Sequence, residues 1–95
     1  MSVYHLPQRR LIHVTGTDHL SFLQGIISQD VLTLETGKLR FGVLLNPQGK
    51  LLVEFLFFSQ DGGIYLDVEA NQAELLLKRL QLYKLRSAVE IRESD

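Results

Sequence analysis

Between residues 50 and 58 the chain reads Lys-Leu-Leu-Val-Glu-Phe-Leu-Phe-Phe, apolar throughout except for its first residue and one carboxylate, Glu54. Asn46-Pro47-Gln48-Gly49 precedes this run and Asp61-Gly62-Gly63 follows it. A mostly apolar run of this length between turn signals predicts a central strand buried on both faces. The segment 39–45 is the strand before it. The Asn-Pro-Gln-Gly turn is short enough to make the two an antiparallel hairpin. After the second turn, segment 64–68 partly alternates apolar and polar residues and predicts a further strand.

Upstream, 11–14 (Leu-Ile-His-Val) is a short strand candidate followed by the turn Thr15-Gly16-Thr17. Asp18 is a favourable N-cap for a helix running to about Ile27, with Leu20, Leu23 and Ile27 forming one buried stripe. Ser28-Gln29-Asp30 ends this helix, and Glu35-Thr36-Gly37-Lys38 marks a loop. Asn71, with Glu74 three positions on, predicts the start of a second helix by a variant capping box. That helix sets Leu76, Leu80 and Tyr83 along one face, and Lys78, Arg79 and Lys84 suit its C-terminal end. The segment 88–91 is a last short strand. The predicted order is β-α-β-β-β-α-β, an α+β fold with helices packed on a mostly antiparallel sheet.

Composition adds exclusions more than assignments. Ninety-five residues make one small domain at most, and 45% hydrophobic with 22% charged residues suits an ordinary globular chain. A net charge of −1 offers no electrostatic case for nucleic acid or an acidic membrane surface. No stretch approaches the roughly 20 apolar residues that span a bilayer, and the first ten residues lack the apolar centre of a signal peptide. The expected location is cytoplasmic. The absence of cysteine excludes disulfides and thiol chemistry within this chain.

His5, His13 and His19 match no metal-ligand spacing, and the serines lack a GxSxG context. The glycines form neither GxGxxG nor a P-loop. Arg9-Arg10 and Lys78-Arg79 read as solvated basic pairs. Glu54 is the exception, because as a strand residue it shares a face with Leu52, Leu56 and Phe58, while Val53, Phe55 and Phe57 face the other way. A carboxylate in apolar surroundings needs compensation. Either Arg40, Lys50 or a helix cation pairs with it, or it accepts hydrogen bonds from an N–H-rich ligand in a cavity.

Three segments resemble a known family. Phe22-Leu23-Gln24-Gly25-Ile26-Ile27-Ser28-Gln29-Asp30-Val31 is similar to the "FLQGQ-x-T-x-DV" segment of the YgfZ-type folate-binding proteins. Leu45-Asn46-Pro47-Gln48-Gly49-Lys50 resembles their "L-x-P-x-GK" turn, and Leu82-Tyr83-Lys84-Leu85-Arg86-Ser87-Ala88-Val89 their "KY-x-LRSKV" stretch. That family is related to the T-protein of glycine cleavage, an aminomethyltransferase that uses tetrahydrofolate. The resemblance implies that residues 1–95 are the N-terminal part, about half, of a GcvT-like folate-binding domain. The family's Lys-Gly-Cys-Tyr-x-Gly-Gln-Glu segment would lie beyond it. It further implies tetrahydrofolate as ligand, a role in iron–sulfur cluster assembly or repair and in tRNA modification, and iron–sulfur assembly proteins as partners.

By the same resemblance the ligand-binding residues are Glu54, Asn46, Gln48, Gly49, Lys50 and Glu69. Where T-proteins carry two aspartates, this chain has Val53-Glu54, so a binding role is expected and transfer catalysis is not. Glu69 occupies the place of a T-protein asparagine, with Asn71 two residues on. The alternatives are an aminomethyltransferase-like enzyme fragment, or a ligand-free module that forms homo-oligomers through uncovered apolar surface.

Overall fold

The structure, a computed structural model, describes residues 8–27, 37–84 and 87–94. His5, the helix end at 28–30 and the start of the loop at 35–36 lie outside them. The elements are β1 (Arg9–Thr15), α1 (His19–Gln24), β2 (Arg40–Leu45), β3 (Leu51–Gln60), β4 (Gly63–Glu69), α2 (Ala70–Lys84) and β5 (Glu90–Ser94). This is the predicted order. The strands form one sheet in the order β2-β3-β4-β1-β5, with every neighbouring pair antiparallel.

Both helices cover one face of the sheet. The core under them joins Ile12 and Val14 of β1, Val53, Phe55 and Phe57 of β3, and Ile64, Leu66 and Val68 of β4 to Phe22, Leu23, Leu76 and Leu80 of the helices. In the middle of β3 the period-2 alternation is clear: Val53, Phe55 and Phe57 are buried, and the residues between them are half-buried or exposed. The expectation of a strand buried on both faces is overturned. β3 lies inside the sheet, but only one of its faces is covered by a helix layer, because both crossover helices pack on the same side.

Several boundaries also move. Helix α1 is only six residues long and buries Phe22 and Leu23, while Leu20 is exposed. The helix buries Phe22 and Leu23 in place of the predicted Leu20, Leu23 and Ile27 stripe, and Ile27 is buried beyond its end, bridged to Leu44. Asp18 makes no side-chain capping bond. Its carboxylate instead accepts the Ala88 N–H at 2.8 Å, and its own N–H donates to the Ala88 carbonyl at 3.2 Å. Helix α2 begins at Ala70, whose N–H donates to the Gln8 carbonyl, so Asn71 is a helix residue and not the cap. Strand β5 occupies Glu90–Ser94 rather than 88–91. Pairing with β1 extends it, since Leu11 to Thr15 are opposed by Ser94 to Glu90.

Gly42 decides how β2 lies over the core. A Cβ there would stand 2.9 Å from ring carbons of both Phe55 and Phe57. These rings pack edge to face, their centroids 6.2 Å apart. On the uncovered face, Phe58, Tyr65 and His13 form a cross-strand ladder from β3 through β4 to β1. Centroids are 5.2 Å apart for Phe58–Tyr65 and 4.0 Å for His13–Tyr65, both stacked. Cross-strand aromatic pairs of this kind support the sheet, so His13 has a structural place.

Candidate functional site

The uncovered face carries the site. Pairing between β3 and β4 starts at Gln60–Gly63 and ends at Leu56–Asp67. Strand β3 continues to Leu51 with β2 as its partner, while β4 continues to Glu69 with β1 as its partner. Two more residues in the β3–β4 register would set Glu54 opposite Glu69. The ladder between the two strands stops before reaching it, although each strand continues with its other partner. The result is a groove of about 520 Å³. That volume falls in the roughly 300–1,000 Å³ range of small-molecule sites.

Glu54 and Glu69 are both exposed and both line this groove. Phe41, Leu52 and Leu56 supply apolar walls, and Arg9 and Gln72 add polar groups. None of the ion pairs among the described residues involves Glu54. Of the two readings of this acid, the paired strand carboxylate is set aside and the carboxylate facing a cavity is retained. The apolar neighbours imposed no burial cost, since the face they share is open to solvent.

The turn residues behave differently. The Asn46 side-chain oxygen accepts the N–H groups of Gln48 and Lys50, each at 2.9 Å, and the Asn46 carbonyl accepts the Gly49 N–H at 2.9 Å. Gly49 has φ of 82°, which favours glycine. Asn46 thus closes the hairpin turn and lines a separate hollow of about 300 Å³ with Pro47, Gly25 and Tyr83. Gln48, Gly49 and Lys50 are exposed and do not line the Glu54 groove, although Leu51, next to Lys50, does. Of the six predicted site residues, the fold brings Glu54 and Glu69 together and leaves the turn at one end.

Arg9 and Gln72 escaped the sequence reading. Arg9 had looked like half of a solvated basic pair. It is bound to Asp67, with Nε to Oδ1 at 2.9 Å and Nη2 to the backbone oxygen at 3.0 Å, while Arg10 pairs with Glu93. The β1–β4 pairing sets Arg9 opposite Glu69, across 60 positions of sequence. Strand alternation could have placed Arg9 on the face of Leu11 and His13, but not beside this groove. Among the described residues there is no cluster of three or more potential metal ligands, and no helix is long and apolar enough to cross a membrane.

A five-stranded antiparallel sheet with two helices on one face and a carboxylate-bearing groove on the other defines an α+β fold of the aminomethyltransferase T type. The aminomethyltransferase T of the glycine cleavage system from Bartonella henselae superposes with a TM-score of 0.83 over 90% of this chain and 24% of its own, at 21% identity. In sequence, the chain is 35% identical over 95 residues to the mitochondrial iron–sulfur cluster assembly factor IBA57 homolog of Pyricularia oryzae, covering 95% of this chain. It is 33% identical over 95 residues to the tRNA-modifying protein YgfZ of Vibrio vulnificus, covering all of this chain. Over the stretch it spans, the chain is a member of the YgfZ/GcvT-like family. It spans about a quarter of the length of these relatives (24% and 29%). No family model matches the chain.

Proposed function

We propose that the chain is part of a tetrahydrofolate-binding protein of the YgfZ type, acting in the cytoplasm in iron–sulfur cluster assembly or repair and in tRNA modification. One observation carries the reading: Glu54 and Glu69 face a common groove with apolar walls. A reduced pterin presents several N–H donors at the edge of a flat ring. Carboxylates accept such donors in charge-assisted bonds, and leucine and phenylalanine walls suit the ring faces. The beginnings of a pocket are present on the uncovered face, and further chain laid over it would exclude water. The turn at 46–50 stands at the Leu51 end of the groove. In this reading Gln48, Gly49 and Lys50 help hold the ligand there, and Asn46 shapes the turn.

The names of the relatives support the cellular role, and iron–sulfur assembly proteins are the corresponding partners. Val53 is buried under the helices, so the neighbour of Glu54 offers the groove no second acid, and the reading assigns binding without methylene transfer. Calorimetric titration of the complete protein with tetrahydrofolate is the test. Binding that weakens in Glu54→Ala is expected. Absence of binding, or an affinity indifferent to that change, rejects the reading.

A second reading is favoured by the exposure of Phe41 and Leu51, 52% each, on and beside the open face. This face would join two copies of the chain without any ligand. Light scattering that finds a monomer at micromolar concentration counts against it.

A further inference from the structure

We propose that the groove beside Glu54 receives the outer flank of helix α2 from a second copy of the protein, so that copies associate head to tail. This rests on the second reading above, that the open face joins two copies, and names the surface that meets it. It is independent of the folate reading. Leu75, Lys78, Arg79 and Leu82 fall at i, i+3, i+4 and i+7 on α2. They lie beside the stripe of Ala73, Leu76 and Leu80 that faces the core. Leu75 is half-buried at the edge of that core, whereas Leu82 is 60% exposed. Lys78 and Arg79 take part in none of the ion pairs among the described residues. A helix with leucine on a second flank has more apolar surface than one sheet can cover.

The groove carries the complement. Glu54 and Glu69 likewise lie outside those ion pairs, and Phe41, Leu51, Leu52 and Leu56 line the groove with apolar surface. Arg9, the cation of the lining, is already held by Asp67. Face-to-face pairing of two open sheets would bring two acid-bearing grooves together, and like charges placed close across an interface oppose it. Stacking the helix layer of one copy on the sheet of the next brings unlike charges together and covers that sheet on both faces. The helices and the groove lie on opposite sides of the sheet, so each copy can offer both surfaces at once. Such a contact is heterologous and repeats from copy to copy. Leu82 enters between the apolar walls. Lys78 and Arg79, one helical turn before it, meet the two carboxylates.

Sedimentation equilibrium on the complete protein is the test. Wild-type protein is expected to self-associate at micromolar concentration, and less so as salt rises to about 1 M, where exposed charges are screened. Lys78→Glu combined with Arg79→Glu is expected to weaken association about tenfold, and so is Glu54→Lys combined with Glu69→Lys. Mixing the two double variants restores the charge match at both surfaces, and association is expected to return. Leu82→Ser, which changes no charge, is expected to weaken wild-type association as well, and it decides should a charge-reversed variant fail to fold. A wild-type monomer overturns the inference and the second reading together. An oligomer indifferent to the α2 substitutions overturns the inference and leaves that reading standing, with the open faces joined to each other. Loss in both double variants without recovery in their mixture also overturns it, since the losses then have a cause other than the pairing.

Discussion

The Asp18 carboxylate accepts the Ala88 N–H at 2.8 Å, across 70 positions of sequence, and the backbones of the two residues are bonded in return. The entry to α1 is thereby fastened to the segment leading into β5. Gly16 permits this approach, because a Cβ there would stand 2.3 Å from the Ala88 carbonyl oxygen. Loss of the carboxylate in Asp18→Ala leaves one backbone donor without its partner. A stability loss of about 1–2 kcal/mol is expected in urea titration. Amide exchange at Ala88 should accelerate more than at core positions such as Leu66; uniform acceleration would mean that the bond does not act locally.

Gly42→Ala should destabilise the protein although alanine is the better strand residue. The added methyl meets the rings of Phe55 and Phe57, which are nearly fully buried and packed against each other. Overpacking of this kind costs about 1–3 kcal/mol. Combining Gly42→Ala with Phe57→Leu should cost less than the sum of the two changes, and strict additivity in denaturation midpoints would contradict the clash.

Asn46→Ala removes the acceptor of two turn N–H groups at once. A loss of about 1–2 kcal/mol is expected, with faster amide exchange confined to Gln48 and Lys50. Asn46→Asp, which keeps an acceptor oxygen in place, should restore most of it. Equal losses for the two substitutions would refute the account of the turn.

Glu54→Gln should change stability by no more than about 0.5 kcal/mol, in the direction of a small gain if Glu69 repels it. Truncating one partner of a buried ion pair would cost about 3–5 kcal/mol. Thermal unfolding therefore separates the open-face acid from the paired strand acid, and a large loss would restore the latter.

Much of the fold was legible locally. The Asn-Pro-Gln-Gly and Asp-Gly-Gly turns set the β2–β3–β4 meander, and Leu76 and Leu80 mark the buried side of α2, because turn chemistry and helical periodicity act over a few residues. The cap at Asn71 and the stripe at Leu20 were misread for a related reason. The first turn of α2 is held by Gln8 and the entry to α1 by Ala88, and neither partner is near in sequence.

The sequence by itself determined the order of elements, the alternation of β3 and the presence of one unusual acid within it. Only the tertiary structure decided which face of β3 the helices cover, and hence that Glu54 stands in the open. It likewise decided that Glu69 and Arg9 share its groove. Alternation assigns residues to two faces but cannot say which layer covers either. That choice belongs to the crossover helices and to the non-local pairing of β1 with β4, whose contacts join residues up to 60 positions apart.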